Sequence, residues 1–349
     1  MAITNKEEGV WILPQVYNKI MEGDIWDYDG VTQMYNWGYA PNGQIGRNNT
    51  NSLSSPALLP GTGWMRSYGT TPSTNKITGD IPQLAIKSDG TLWAWGWNDG
   101  GNLGLNNTTK YSSPTQVGAN TNWKGITLSV CNDVSTSAWK TDGSLWTWGY
   151  NNQGQLGHND KTNYSSPRQV GTDTDWNKIH GAHSDQVYVE KTDGTLWTWG
   201  RNHYGQLGHN NTTDYSSPKQ VSGTWSGSGF SVSYHVTIAC KSNGTLWSWG
   251  YQGYGELGQN QGPSAKYSSP NQIGSATDWD PDGISGGGFQ SMGCTKTNGE
   301  LYMWGRNLGG VLGINIEGND KSRSSPTQIP GTWSSIRIAG RTSYGTQTL

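Results

Sequence analysis

The chain has 349 residues, of which 32% are hydrophobic and 14% are charged, and its formal net charge is −2. So few charges, nearly balanced in sign, leave no electrostatic footprint for nucleic acid or for an anionic membrane surface. Cys131, Cys240 and Cys294 are odd in number and lack metal-ligand spacing, so they predict neither a disulfide framework nor a metal site. The 20 Trp, 17 Tyr and 51 Gly residues argue against disorder, because most of them recur at fixed positions.

Residues 1–28 differ from the rest of the chain and predict a short helical anchor segment. Pro14 suits a first helical turn and Gly23 follows the last, and between them runs an apolar stripe at helical spacing: Leu13, Val16, Tyr17, Ile20 and Met21. The candidate anchor residues are Trp11, Leu13, Val16, Tyr17 and Ile20. Two to three helical turns are unstable alone in water, so the segment must dock, either on its own propeller or on a partner. The polar start MAITNKEEG is not a signal peptide, and no run approaches the ~20 apolar residues of a membrane helix.

From residue 29 onward the chain is built on one repeated hairpin, Lys-x-Asp/Asn-Gly-x-Leu-Trp-x-Trp-Gly. Full copies lie at 87–96, 140–149, 191–200, 241–250 and 296–305, and a broken copy lies at 29–38. A repeat of about 50 residues is typical of propellers and related arrays. The Asp-Gly or Asn-Gly step predicts a hairpin with a type I′ turn. The two Trp residues share one face of their strand, which predicts an aromatic layer between neighbouring sheets.

Three further signals accompany each hairpin. The first is Gly-x-Leu/Ile-Gly, whose two glycines indicate positive φ or close backbone approach. The second is Ser-Ser-Pro, where a proline that cannot donate to a ladder marks an edge strand. The third is a lone Trp, at 64, 123, 176, 225, 279 and 333. Each of the three occurs six times.

These counts predict an all-β fold over residues 29–349, a β-propeller of six blades with seven possible. The hairpin is the one signal that is split. Residues 336–349 occupy the position of the strand that precedes Asp-Gly in the other units. The other half of that hairpin, the Asp-Gly turn and the strand that follows it, lies at 29–38. We therefore expect the N- and C-terminal strands to pair and close the ring, which removes free sheet edges.

The repeat resembles that of the regulator-of-chromosome-condensation family, whose propellers carry Asp-Gly-x-Leu-(Trp/Tyr)-x-Trp-Gly-x-Asn-x-x-Gly-Gln-Leu-Gly. Asp142–Gly157 reads DGSLWTWGYNNQGQLG, and Asp193–Gly208 reads DGTLWTWGRNHYGQLG. The resemblance covers residues 29–349 and implies the propeller fold, commonly with seven blades. Family functions include guanine-nucleotide exchange with chromatin binding and inhibition of β-lactamase, and fold alone does not choose among them. The stretch 5–26 also resembles a short leader of some marine tailed-phage proteins, which implies an attachment piece.

Copies that agree elsewhere diverge in the strand before the Asp-Gly turn and in the loop that precedes this strand. The divergent residues are polar and aromatic, a mixture found in recognition surfaces. The candidate partner-binding residues are Asp80, Asn132, Asp133, Trp139, His183, Ser184, Asp185, Tyr234, His235, Phe289 and Gln290. Relaxed drift in exposed loops is the alternative explanation.

Catalytic chemistry is missing from the sequence. His158 and His209 occupy equivalent repeat positions and are interpreted as surface variation. His180 and His183 lack a matched third ligand for zinc, and no nucleophile, phosphate-loop or metalloprotease motif is present. The sequence therefore predicts a non-enzymatic protein without a cofactor or a metal ion.

The leading hypothesis is a binding propeller of a phage virion. Its N-terminal segment would attach to the virion or another assembly, and its variable face would bind a host surface protein or glycan. The predicted location is the virion, with the bacterial cytoplasm as the alternative, and neither nucleic-acid binding nor membrane insertion is expected. The alternative functions are a regulator or inhibitor of one protein partner and a structural cement protein.

Overall fold

The computed structural model describes residues 33–68, 82–129, 135–180, 185–233, 235–287, 290–316, 318–339 and 341–347. In these residues, strands form five four-stranded antiparallel sheets and two two-stranded sheets. The predicted anchor helix and all of segment 1–28 lie outside the described residues, so that prediction stays untested. No helix in the part of the chain that the structure describes is long and apolar enough to cross a membrane.

The five full sheets follow the repeat. Sheet 1 contains β3 (Trp64–Tyr68), β4 (Pro82–Lys87), β5 (Leu92–Gly96) and β6 (Tyr111–Gln116). Sheet 2 contains β7 (Trp123–Ser129), β8 (Ser135–Lys140), β9 (Leu145–Gly149) and β10 (Tyr164–Gln169). Sheet 3 contains β11 (Trp176–Ile179), β12 (Gln186–Lys191), β13 (Leu196–Gly200) and β14 (Tyr215–Val221). Sheet 4 contains β15 (Trp225–Ser233), β16 (Val236–Lys241), β17 (Leu246–Tyr251) and β18 (Lys266–Gln272). Sheet 5 contains β19 (Trp279–Gly287), β20 (Ser291–Lys296), β21 (Leu301–Gly305) and β22 (Arg323–Ile329).

The two half sheets are β1 (Tyr35–Gly38) with β2 (Leu53–Leu58), and β23 (Trp333–Ala339) with β24 (Thr342–Gln347). Short 3-10 turns lie at Leu308–Gly310 and Asn319–Lys321. The half sheets carry complementary halves of one repeat unit, so the described sheets number seven but correspond to six units. The all-β propeller prediction is confirmed.

Each full sheet runs in chain order from an inner first strand to an outer fourth strand. Neighbouring sheets contact each other through their first strands: β15 contacts β19, and β19 contacts β23. The fourth strand, which holds Ser-Ser-Pro, pairs on one side only, and a proline is tolerated there. Loops between first and second strands and between third and fourth strands leave the sheets at one end, here called the loop face. The Asp-Gly turns lie at the other end, the turn face.

Ring closure differs from the sequence prediction. Among the described strand pairs, β1 pairs only with β2 and β24 only with β23. In the full sheets the equivalent two strands are joined by a tight Asp-Gly turn. Here they come from distant parts of the chain, so no turn offsets the entropy of bringing them together. Trp37 of β1 is consequently 60% exposed, whereas its five equivalents are fully buried.

The turn chemistry also differs from the prediction. A type I′ turn needs positive φ at both central residues, but of Asp89 and Gly90 only the glycine has positive φ (75°). Asp89 instead accepts hydrogen bonds from the backbone N–H (3.0 Å) and hydroxyl (2.6 Å) of Thr91. This side-chain bonding fixes an Asx-type turn, which leaves the aspartate in an ordinary conformation.

The predicted aromatic layer is present and joins neighbouring sheets. The second Trp of each full hairpin is fully buried, and its indole N–H donates to a backbone carbonyl in the Gly-x-Leu/Ile-Gly loop of the preceding unit. The five bonds are Trp95 to Gln44 (2.8 Å), Trp148 to Asn102 (2.8 Å), Trp199 to Gln155 (3.0 Å), Trp249 to Gln206 (2.7 Å) and Trp304 to Glu256 (2.9 Å). Each sheet is thereby hydrogen-bonded to the one before it.

The recurrent Lys and the lone Trp form a second repeated device. In sheet 2 the Lys140 ammonium lies 4.8 Å from the ring centre of Trp123 and 3.9 Å from that of Trp146. A cation over aromatic faces is attracted by their negative potential, more strongly when it is desolvated. The same sandwich recurs at Lys87, Lys191, Lys241 and Lys296. This contact gives the lysine and the lone Trp a structural role.

A third repeated contact is a backbone hydrogen bond from the loop that follows Gly-x-Leu/Ile-Gly to the outer strand of the next sheet. Asn159 adopts positive φ (61°), and its N–H donates to the Ser216 carbonyl at 2.6 Å. Asparagine tolerates this left-handed conformation better than most residues. Equivalent bonds join Asn48 to Ser112, Asn106 to Ser165, Asn210 to Ser268 and Asn260 to Ser324.

Candidate partner-binding face

Seven of the candidate residues lie outside the described residues, and they are Asp80, Asn132, Asp133, His183, Ser184, Tyr234 and Phe289. Four are described: Trp139, Asp185, His235 and Gln290. Their structural positions decide which of them share one surface, while their binding role stays a prediction.

Asp185, His235 and Gln290 occupy equivalent positions at the loop face, each directly before a second strand. Their carbonyls accept the N–H of the residue that follows Trp-Gly, namely Arg201 (2.9 Å), Tyr251 (2.9 Å) and Arg306 (2.8 Å). A Cβ on the preceding glycine would collide with that carbonyl, as Gly200 would with Asp185. The Gly of Trp-Gly is therefore required where the two loops meet. Asp185 is buried, while His235 and Gln290 are partly exposed.

Trp139 does not lie with the other three. It is next to Lys140, at the end of β8 that leads to the Asp-Gly turn and the turn face. Its ring occupies the space over Gly125, its cross-strand neighbour in β7, where a Cβ would clash with the indole. Trp139 thus packs on β7 near the turn face, away from the other three candidates.

His158 and His209 are more than surface variation. Each is half-buried, and its Nε2 lies 2.9 Å from Thr147 Oγ1 in one case and 2.8 Å from Thr198 Oγ1 in the other. Their rings contact Tyr164 and Tyr215 edge-on. Burial lowers the pKa of both imidazoles, that of His209 to about 4. These contacts hold the loop between the third and fourth strands of the sheet against the third strand.

His180 meets no zinc-type cluster. Its Nε2 lies 3.2 Å from the Glu190 carboxylate, both side chains are buried, and its ring packs on Phe230. Across the described residues, no group of three or more His, Cys, Asp or Glu side chains is placed to hold a metal ion.

At the loop face, the residue after Trp-Gly packs on a loop residue of the preceding unit. Tyr150 lies where a Cβ on Gly100 would clash with its ring, and Tyr251 lies 5.1 Å from Tyr204. Arg306 continues the series, because its guanidinium lies 4.5 Å from the Tyr254 ring. Gly100 accompanies the bulky Tyr150, Gln153 takes the equivalent place in the next junction, and tyrosines take it in the two junctions after that.

The junctions on either side of sheet 4 combine aromatic rings with positive charge. The His235 and Tyr204 rings lie 4.2 Å apart, and the Lys266 ammonium lies 5.4 Å from Tyr204 and 5.6 Å from Tyr251. We call Tyr204, Tyr251, Tyr254, Lys266 and Arg306 the tyrosine–cation patch. Sequence reasoning missed it because its contacts, apart from that between Lys266 and Tyr251, join residues of consecutive repeat units.

Buried glutamine side chains with unpaired polar atoms recur in the repeat, and Gln44, Gln155 and Gln206 share one position with an unpaired Nε2. Gln206 uses its Oε1 to accept the Tyr204 N–H at 2.9 Å, but its Nε2 is unpaired. Gln186, which pairs across the sheet with Gly200, has neither its Nε2 nor its Oε1 bonded. Buried polar atoms without partners are rare and call for an explanation such as a water or a ligand.

The whole arrangement matches a known family. Residues 27–348 match the RCC1-like domain. The chain belongs to the RCC1-like domain family. This RCC1-like propeller is 29% identical over 321 residues to the human E3 ubiquitin-protein ligase HERC2, covering 86% of this chain and 6% of HERC2. It is also 29% identical over 306 residues to the ultraviolet-B receptor UVR8 of Arabidopsis thaliana, covering 85% of this chain and 65% of UVR8.

Solved structures agree with the RCC1-like fold. Yeast RCC1 (Prp20), solved bound to Kap60, superposes with a TM-score of 0.63 at 19% identity, covering 91% of this chain and 77% of that chain. Human WBSCR16 gives a TM-score of 0.61 at 17% identity, covering 91% and 82%. At these identities the likeness is one of fold.

Proposed function

We propose that this RCC1-like propeller is a non-enzymatic module that binds a protein partner through its loop face. The observation that carries the proposal is that the constant and the variable residues of the repeat have different positions. Trp, Lys, Gly and Asn recur in equivalent packing contacts, whereas the partly exposed His235 and Gln290 vary among the copies at one end of the sheets. Variation that is concentrated on one face of a regular scaffold is typical of binding surfaces.

The relatives support a protein partner over other ligands. Yeast RCC1 (Prp20) was solved bound to Kap60, and a study of the same protein describes its binding to Gsp1p and histones. HERC2 is a ubiquitin ligase and UVR8 a receptor, but this chain spans only 6% and 65% of their lengths. A regulator or inhibitor of one protein partner is therefore favoured over host-surface adhesion.

Affinity capture with variant pairs tests the loop face. The loop-face variant carries Tyr234→Ala, His235→Ala and Phe289→Ala, and the control carries Asn120→Ala and Lys124→Ala, two exposed residues near the turn face. Both variants should keep the thermal midpoint of the native protein, and only the loop-face variant should lose the partner. Equal capture by both variants contradicts a loop-face site.

Attachment to a virion through residues 1–28, with Trp11, Leu13, Val16, Tyr17 and Ile20 as anchors, remains a prediction from the sequence alone. Mass spectrometry of purified particles tests it. A stoichiometric amount of the protein in virions supports the anchor, and its absence from every particle preparation contradicts the anchor.

A further inference from the structure

We propose that the tyrosine–cation patch binds an acidic segment of the protein partner, with one carboxylate at Lys266 and a second at Arg306. This inference rests on the proposed function, because it specifies the chemistry of the partner that the loop face takes. It assigns the binding determinant to the two junctions that flank sheet 4.

The first argument is the state of the two cations. Lys266 and Arg306 each lie over tyrosine rings, and among the described residues neither forms an ion pair with a carboxylate. Their neighbours on the loop face do: Lys110, the repeat equivalent of Lys266, lies 3.3 Å from Asp99, and Lys161 lies 3.9 Å from Asp214. Among the described residues, Lys266 therefore has no carboxylate partner, whereas Arg306 interacts with the buried Glu256 carboxylate beyond ion-pair distance.

The second argument is preorganisation. A stacked cation loses less side-chain freedom on binding than one that moves freely in solvent, so less of the binding energy is lost to ordering. Arg306 is fixed further by two more contacts, a donated bond from Nε to Asn319 at 2.8 Å and a contact from Nη1 to Gln290 at 3.5 Å. A guanidinium held in this way can still present N–H donors to a carboxylate.

The chemistry selects an acidic peptide rather than a nucleic acid. The net charge of −2 disfavours a long polyanion, whereas one or two carboxylates match two local cations. The tyrosine faces offer apolar contact to the methylene groups of glutamate or to a neighbouring aromatic side chain.

Fluorescence anisotropy with labelled oligo-glutamate tests the proposal, with oligo-glutamine and oligo-thymidine as comparison probes. The native protein should bind oligo-glutamate best. The K266Q/R306Q variant should lose at least about tenfold in affinity, which corresponds to about 1.4 kcal/mol. The matched control R168Q/K219Q removes two cations that also lie over tyrosines, Tyr164 and Tyr215, and should stay within about twofold.

The unfolding midpoint supplies a second readout. We expect K266Q/R306Q to unfold close to the midpoint of the native protein, so that its weaker oligo-glutamate binding reflects the lost cations and not a loss of folded protein. The proposal is overturned if K266Q/R306Q binds like the native protein, if R168Q/K219Q loses as much, or if oligo-thymidine binds more tightly than oligo-glutamate. If partner capture still requires the loop face in that case, the proposed function stands and only the acidic determinant fails.

Discussion

Ser343 Oγ donates a hydrogen bond of 2.8 Å to the Val311 carbonyl. Thr136 makes the same bond to the Asn102 carbonyl at 2.9 Å, and that carbonyl also accepts the indole N–H of Trp148. By repeat equivalence, Ser343 takes the place of Thr136, and Val311 takes the place of Asn102. The Val311 carbonyl is therefore the position at which the indole of Trp37 completes the pattern when β1 joins β24.

The first prediction concerns the junction between β1 and β24, and it follows from this equivalence. If β1 and β24 pair in solution, Trp37→Ala removes a buried indole and should lower the free energy of unfolding by about 3–5 kcal/mol. If Trp37 stays exposed, the change should be below about 0.5 kcal/mol. Urea unfolding followed by circular dichroism measures the difference. Met65→Ala is the control, because Met65 is 65% exposed on an inner strand and should be nearly neutral.

A second prediction concerns the Lys140 sandwich, where two effects oppose each other. Burial lowers the pKa of Lys140, while the faces of Trp123 and Trp146 attract its charge. We expect the aromatic attraction to prevail, so that Lys140→Gln lowers the free energy of unfolding by about 1–2 kcal/mol. Lys219→Gln, over the more exposed Tyr215, should cost about 0.5 kcal/mol or less. Chemical denaturation of both variants measures these changes. A K140Q variant that is more stable than the native protein would mean that the cost of desolvating the lysine exceeds the aromatic attraction.

A third prediction concerns the loop fastener at Asn159. Its φ of 61° and its N–H bond to Ser216 require a residue that tolerates the left-handed region. Asn159→Ala should lose about 1 kcal/mol, whereas Asn159→Gly should stay within about 0.5 kcal/mol of the native protein. Thermal unfolding by calorimetry compares the two. A glycine variant as unstable as the alanine variant would show that the side chain, not the backbone conformation, is responsible.

The sequence was sufficient to predict the scaffold because the scaffold is local and repeated. Asp-Gly turns, Trp-x-Trp strands and Ser-Ser-Pro edges each recur at fixed positions within a unit, so their spacing can be read directly. The lysine sandwich was harder to see. Trp123 and Lys140 face each other across an inner hairpin whose loop length changes from copy to copy, so their separation in sequence is not constant.

The candidate site was less predictable because its contacts cross between units. Nothing within one repeat shows that Arg306 lies over Tyr254 or that Tyr150 needs a glycine at position 100. Pairing the residue after each Trp-Gly with the loop residue of the preceding unit, instead of aligning all units, would have brought these contacts together. Variability among copies also does not locate a residue: Trp139 varies but lies near the turn face, where it packs over Gly125.

The bracing histidines have a defined tautomer. Thr198 Oγ1 donates its only proton to the Leu207 carbonyl at 2.8 Å. Toward His209, Thr198 Oγ1 can therefore only accept, so His209 Nε2 must carry the proton and donate it to Thr198 Oγ1. Gln259 occupies the equivalent place in sheet 4, where its Nε2 donates to Ser248 Oγ at 3.2 Å. A glutamine amide thus replaces the imidazole N–H without a change of bonding pattern.

This equivalence predicts the pH dependence of stability. Burial, followed by the charge of Lys219, lowers the pKa of His209 to about 4, below the ~6.5 of an unfolded histidine. Between these values the unfolded chain binds the proton and the folded chain does not, so stability falls as pH drops from about 6.5 to 4. Because the ring is partly exposed, we expect a loss of about 1–2 kcal/mol from this group. His209→Gln should match the native protein at pH 7.5 and be more stable at pH 4.5. Urea unfolding at both pH values measures this, and an equal loss in the variant would assign the acid sensitivity to other groups.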